Sequence, residues 1–370
     1  MNKGRSLILK ILLLLNFLVV IPLLASYCAA YISPARIWQF AFFGLAYPVF
    51  LIINLGFATL WLILWKRYIF ISLIAILIGW NNLQSVYPLH LPDKNPPSGI
   101  KIKVVSYNVN LFWGNQHMES TSEIREGISS FLLSQNADII CLQECCLNGP
   151  DDAVILRNYA KLIGMKYYYF RNYRKFWDKK KIDAIIIFSR YPVVDSGFFK
   201  FPDKSLFGIY SDILLDQDTI RIYNLHLESI RFGNDDYSFY SHLTDPAEEA
   251  TPLKEGTKKM FWKLKKAFIT RAREVDTISL QLGTCRYPVI LAGDFNDSPS
   301  SYAYHELTGN LKDAFISSGR EFFGSTYAGR FPAFRIDYIF SSGRFKTLEY
   351  RKFIIGYSDH YPIAATFNLN

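Results

Sequence analysis

Gly293-Asp294-Phe295-Asn296-Asp297 follows directly on an apolar run, Pro288-Val289-Ile290-Leu291-Ala292. The run reads as a buried strand, with a glycine turn and polar residues at its end. Asp294 and Asn296 are two residues apart, so in extended backbone both side chains face the same way. One can accept a proton or hold a water while the other donates a hydrogen bond. Taken alone, the segment reads equally well as a polar turn. Repetition makes it a candidate site. Asn108, Glu144, His226, Asp337 and the pair Asp359-His360 also stand at the limits of apolar strands. Gathered at one sheet edge, these residues form an acidic site with two imidazoles. Hard oxygen donors of this kind suit Mg2+, Mn2+ or Ca2+ better than zinc.

The elements that must hold these residues occupy 101–370. Strands are expected near 102–110, 138–144, 166–171, 182–188, 193–200, 208–215 and 219–227, then in the run into Asp294, with two or three more before the end. Helices are expected over 121–135, 151–163 and 257–282, with a short one near Pro299. The first carries Ile124, Ile128, Phe131 and Leu132 on one face, with Thr121 and Ser122 as N-cap candidates. The third has Phe261, Leu264, Phe268, Val275 and Ile278 as its core stripe. Opposite that stripe, Lys258, Lys259, Lys263, Lys265, Lys266, Arg271 and Arg273 read as a solvated face, with contact to a polyanion or anionic membrane as the alternative. Residues 229–256 are a polar insertion suited to a lid or rim.

The 50% apolar content of the 370 residues is concentrated at the N-terminal end. The stretches 7–31, 37–65 and 68–87 each meet the roughly 20-residue length that a bilayer core demands. They predict three transmembrane helices within an anchor over 1–90, then a proline-rich linker over 91–100 and a catalytic domain over 101–370. Lys3, Arg5 and Lys10 precede the first stretch, and Lys66 and Arg67 lie between the second and third, against Arg36 alone between the first and second. The more basic loops belong inside, which puts the catalytic domain on the extracytoplasmic face of a bacterial cytoplasmic membrane. Asn16 and Asn54 are isolated within the spans, so anchoring is favoured over transport. The net charge of +9 permits an anionic partner without choosing one. The five cysteines show no zinc-like spacing and no disulfide framework.

Ser106-Tyr107-Asn108-Val109-Asn110, Leu142-Gln143-Glu144, Asn224-Leu225-His226-Leu227, Gly293 to Asp297, Arg335-Ile336-Asp337-Tyr338 and Ser358-Asp359-His360 together resemble the endonuclease/exonuclease/phosphatase family, in family order across 101–370. The resemblance implies a four-layer α/β sandwich with two central mixed β-sheets. It implies a metal-dependent phosphoester hydrolase, a phosphodiesterase or phosphatase acting on lipid or envelope phosphoesters. A membrane-tethered nuclease is the alternative, and an inert binding domain a weaker one. The cofactor is then Mg2+ or Mn2+. The partners are a phosphoester substrate (lipid headgroup, nucleotide or nucleic acid) and the membrane lipids, with no obligate protein partner.

By the same resemblance Glu144 is the principal metal ligand, and Asn108 supports metal or phosphate. Asp294 orients or deprotonates a water, and Asn296 bonds the phosphate. His360 contacts phosphoryl oxygens or transfers a proton, with Asp337 or Asp359 behind it and Asp359 a further metal candidate. His226 matches the second active-site histidine of deoxyribonuclease- and sphingomyelinase-like members, which argues against an abasic-site repair role. Thr326, in Gly324-Ser325-Thr326-Tyr327, is expected to line the phosphate pocket. Asn110 stands where some relatives carry an aspartate, which favours one metal. Ala184 stands where many carry glycine.

Overall fold

The computed structural model describes residues 3–88, 99–114, 121–149, 151–173, 181–201, 206–230, 253–321, 324–329 and 334–369. The linker expected over 91–100 therefore lies mostly outside the described residues, as does most of the insertion 229–256.

The apolar end folds into α1 (Lys3–Cys28), α2 (Gln39–Leu45), α3 (Tyr47–Ile63), α4 (Ile69–Ile78) and α5 (Trp80–Val86). Among the described residues, only α1 is by itself long and apolar enough to cross a membrane. The pairs α2/α3 and α4/α5 pass the same test only when each is taken as one span, bent by 60° and 69°. Two of the three unbroken stretches expected from hydropathy are thus broken. Pro48 lies in the first turn of α3, where a ring without an N–H is tolerated but cannot continue a preceding helix. The other bend is at Gly79, where any Cβ would lie 2.1 Å from the ring of Tyr27 on α1.

Asn16 and Asn54 are not isolated. Asn16 Nδ2 donates to Ser72 Oγ at 2.8 Å, Ser72 Oγ donates to Asn54 Oδ1 at 3.2 Å, and Trp61 Nε1 donates to Asn16 Oδ1 at 2.8 Å. This buried network staples α1, α3 and α4, as polar side chains do between helices in an apolar medium.

The remaining chain builds two six-stranded sheets. One has the order β11-β12-β1-β2-β4-β3, from Phe345–Lys352, Ile363–Leu369, Ile100–Asn108, Ile139–Asn148, Lys181–Ser189 and Tyr167–Asn172. The other has the order β5-β6-β7-β8-β10-β9, from Val193–Lys200, Leu206–Leu215, Asp218–His226, Val289–Asp294, Asp337–Ser341 and Lys312–Asp313. Both are mixed: β1 runs parallel to β2 and β7 parallel to β8, while other neighbours are antiparallel. Alternate residues of a strand face opposite sides. Ile102, Val104, Ile185 and Ile187 of the first sheet therefore pack directly on Ile209, Ile222, Ile290 and Ile339 of the second.

The outer faces are covered by helices. On the first sheet, α6 (Thr121–Ser134) buries Ile124, Ile128 and Leu132, spaced four apart, and α7 (Asp152–Leu162) buries Leu156 and Tyr159. On the second, α8 (Leu253–Thr284) buries Val275 and Ile278, and α9 (Tyr302–Thr308) buries Tyr304 and Leu307. A short α10 (Ala314–Ser318) adds Ala314 and Phe315 to the centre. The result is the expected four-layer α/β sandwich.

The apolar helices also touch the sandwich. Phe42 of α2 stacks on Phe261 of α8 with centroids 5.0 Å apart, and meets Phe268 edge-on at 5.2 Å. From Arg335, Nη2 donates to the Ser85 carbonyl of α5 at 2.7 Å.

Candidate active site

Strand polarity explains why the polar residues meet. Parallel strands end at the same edge of a sheet, so β7 and β8 place His226 directly opposite Asp294. Strand β10 runs back along β8, and its first residue, Asp337, is also opposite Asp294. Across the sandwich, β1 and β2 bring Asn108 and Glu144 to the same edge. Asn108 Nδ2 donates to Asp294 Oδ2 at 3.0 Å and to Glu144 Oε1 at 3.2 Å, tying the two sheets together.

Asp294 is 1% exposed. Its Oδ1 accepts from Asn296 N–H at 2.8 Å, and its Oδ2 from Asn296 Nδ2 at 3.2 Å. Burial pushes its carboxyl up to about 6; His360 and His226 oppose that rise, and Asp337 adds to it. His360 holds Asp337 Oδ2 at 3.0 Å through Nδ1, and its Nε2 lies 3.7 Å from Asp294 Oδ2. Burial lowers the affinity of this imidazole for its proton, but the Asp337 and Asp294 carboxylates outweigh burial and hold it well above the ordinary histidine value. His226 is fixed by the Tyr173 hydroxyl, 3.0 Å from Nδ1, with Nε2 facing Glu144 Oε1 at 3.3 Å.

Glu144 adopts φ 49° at a point where the β2–β4 register slips between Leu142 and Cys145. The left-handed backbone turns its side chain out of the strand and toward the others. A non-glycine residue held there stores about 1–3 kcal/mol. Asn224 repairs the slip: its Nδ2 donates to the carbonyls of Leu142 and Ile186, at 3.0 and 2.8 Å, and its Oδ1 accepts from Gln143 Nε2 at 2.6 Å.

Residues 105–360 match the model of the endonuclease/exonuclease/phosphatase family. The chain belongs to this family. It is thereby a hydrolase of phosphate esters. Residues 9–86 match a second model, described only as a domain of unknown function. A search of curated proteins returns no match. Among solved structures, an endonuclease/exonuclease/phosphatase from Beutenbergia cavernae is 14% identical, over 73% of this chain and 72% of its own, with a TM-score of 0.50. Its counterpart from Bacteroides vulgatus is 16% identical over 73% and 100%, at 0.50. The human Nocturnin catalytic domain, solved with a bound sulfate anion, is 17% identical over 74% and 97%, at 0.52. At these identities the likeness is one of fold.

In this endonuclease/exonuclease/phosphatase domain, Glu144, His226, Asp294, Asn296, Asp359 and His360 all line one cavity of about 770 Å³. Among the described residues, Asp294, Asp337 and His360 bring ligand atoms within 4.8 Å of one another. Asp359 reaches the cavity from the loop before β12, outside that trio. With Glu144 and His226, the set supplies four carboxylates against two imidazoles. Oxygen donors in excess of local positive charge fit a hard divalent cation.

Two expected roles meet a different geometry. Thr326 does not line the pocket: it is 0% exposed, and its hydroxyl accepts from the N–H groups of Ile336 and Asp337, at 3.0 Å each. It anchors the start of β10, and so Asp337. Asn108, expected at a metal, presents its amide nitrogen to the carboxylates, while its Oδ1 accepts from Asn110 N–H at 3.0 Å.

Tyr173, Asn224 and Gln143 were missed as positioning residues. Gln143 and Asn224 stood inside the quoted motifs, but a buried cross-sheet partner leaves no trace in either. Tyr173 is one tyrosine among several around β3. Arg271 is not on the solvated face of α8: it is 1% exposed, and Nε lies 3.0 Å from Asp297 Oδ2.

Proposed function

We propose that the protein is a membrane-anchored, divalent-metal-dependent phosphodiesterase or phosphatase, with Glu144, His226, Asp294, Asn296, Asp337 and His360 as its working residues. The observation that carries this reading is the convergence of Asp294 with Glu144, His226 and the Asp337-His360 pair at one cavity.

In this reading Asp294 holds a water, aimed by the hydrogen bonds from Asn108 and Asn296, and takes its proton as the oxygen adds to phosphorus. His360, kept protonated and oriented by Asp337, donates from Nε2 to a phosphoryl oxygen. Asn296 contacts the same phosphate. His226, oriented by Tyr173, supplies a proton to the departing oxygen. One P–O ester bond breaks, and an alcohol and a phosphate product leave. Glu144 would hold the cation, with Asp359 and the second lone pair of Asn108 Oδ1 as further oxygen donors. When bound, Mg2+ or Mn2+ neutralises phosphate charge and stabilises the leaving oxygen.

The anchor is read as three spans, each bent pair counting as one. The Asn16-Ser72-Asn54-Trp61 network supports a single bundle. The chain is divided here as above, with an anchor to about 90, a linker to 100 and the catalytic domain beyond it, on the extracytoplasmic side.

Full-length protein purified in detergent is expected to hydrolyse bis(p-nitrophenyl) phosphate with Mg2+ or Mn2+ and to lose the activity in EDTA. Asp294→Asn is expected to slow it by about 10²–10⁴-fold. Hydrolysis that survives EDTA, or an Asp294→Asn variant as fast as the parent, overturns the reading. A preference for plasmid DNA over small diesters would convert it to the tethered nuclease.

A further inference from the structure

The catalytic cavity has a second, apolar end. Beyond Glu144 and His226 its wall is made by Leu206 and Phe207 of β6, Met260, Leu264 and Phe268 of α8, and Leu45 of α2. Leu45 belongs to the N-terminal apolar segment, so that segment contributes directly to the wall of the catalytic cavity. Helix α2 is bent 60° away from α3 and is clamped on α8 by Phe42 and Trp38, whose rings lie 5.0 and 5.4 Å from that of Phe261. Trp113, 67% exposed, lines the same cavity. An exposed tryptophan beside apolar helices is the usual arrangement at a membrane–water interface.

The charge of the wall points the same way. Among the described lining residues there is one arginine, Arg271, and no lysine. The Arg271 guanidinium is already taken by Asp297. Glu228, Glu274, Asp183 and Asp297 add negative charge around the catalytic carboxylates. A nucleic acid needs a basic groove to track its successive phosphates. The described lining of this cavity shows no such groove and sets apolar surface beside the catalytic groups.

We infer that the substrate is a lipid phosphoester taken from the bilayer, its apolar chain lying along Leu45, Leu264 and Phe268 while its phosphate meets Glu144, Asp294 and His360. The inference rests on the phosphoester-hydrolase reading above and names its substrate class. Helix α2 then acts as the threshold between the membrane and the site. Leu264 and Leu45 set specificity by touching the chain; they take no part in bond breaking.

The test uses full-length protein in detergent and alkyl p-nitrophenyl phosphodiesters with ethyl, octyl and hexadecyl chains. The expected result is a kcat/KM that rises with chain length by about tenfold or more between ethyl and hexadecyl, since each buried methylene adds to binding. Leu264→Glu and Leu45→Glu are each expected to flatten that rise, which separates chain binding from partition of the substrate into micelles. Circular dichroism and the melting temperature identify a variant that has failed to fold. If none of the esters is hydrolysed, the phosphoester-hydrolase reading itself fails. If all are hydrolysed with no dependence on chain length, or with a dependence the two variants leave intact, only the lipid assignment is overturned. Faster cleavage of single-stranded DNA than of the hexadecyl ester overturns it as well.

Discussion

A carboxylate as buried as Asp294 must be held by its neighbours, and here they pull in opposite directions. Burial and Asp337 favour the acid; His360, His226 and Asn108 favour the carboxylate. The balance near 6 has a sign that can be worked out. The folded protein binds this proton more tightly than the unfolded chain does, so ionisation of Asp294 between about pH 4 and 6 destabilises the fold. The raised value of His360 acts in the same direction: its stabilisation is complete below the ordinary histidine range and is lost as pH climbs through its folded value. For catalysis only the carboxylate of Asp294 can take a proton. The kcat/KM profile should therefore fall about tenfold per pH unit on its acid side. The inflection should lie at or below about 6, because a bound cation further favours the carboxylate. An acid limb centred above pH 7 would assign the base to another group. Glu144 poses a different choice, between stability and function. At φ 49° glycine is at ease and alanine is not. Glu144→Gly should melt higher than Glu144→Ala, by about 1 kcal/mol in stability, with both inactive. Equal melting temperatures would mean that the bulge relaxes and stores no strain.

At the scale of elements, the site depends on how closely β7 and β8 approach. Gly293 has φ 145°, and a Cβ there would stand 2.0 Å from the Leu225 carbonyl oxygen. Gly293→Ala must push apart the two strands that present His226 and Asp294. It should cost about 2–4 kcal/mol in stability, read as a fall in Tm, together with loss of activity. A stable, active Gly293→Ala protein would refute the close approach. The strands themselves were legible, since buried sheets favour apolar β-branched runs and the polar residues at their limits stand out. Helices α6, α7 and α8 were legible for the matching reason, each burying a stripe at helical spacing. What stayed hidden depends on a partner far along the chain. The slip at Glu144 is stabilised by Asn224, the burial of Arg271 by Asp297, and the place of Thr326 by the N–H groups of β10. Hydropathy likewise missed the bend at Gly79, where the missing side chain makes room for the ring of Tyr27 on another helix.

For the molecule as a whole, the question is which side of the membrane the catalytic cavity faces, and the contacts of the apolar helices bear on it. Trp38 and Phe42, before α3, lie against α8, and Ser85, at the end of α5, lies against Arg335 and Pro299. Both contacts fall on the catalytic side. Arg335, which also pairs with Asp313, has its charge buried where the two parts meet, and removing one member of such a pair is strongly unfavourable. The apolar helices are thus packed firmly on the domain. The connection Lys66-Arg67 lies at the other end of α3, a 17-residue helix about 25 Å long at 1.5 Å per residue. That length is close to a bilayer core. In the three-span reading proposed above, this basic connection would face the cytoplasm, and the less basic one carrying Arg36 would lie outside with the cavity. A phosphatase reporter that works only outside the cytoplasm should then be active when fused after residue 100 and inactive when inserted between Lys66 and Arg67. The reverse pattern would put the cavity in the cytoplasm. Activity at both positions would mean that α3 and α4 do not cross, leaving α1 as the single anchor and α2 to α5 as a cap on the domain.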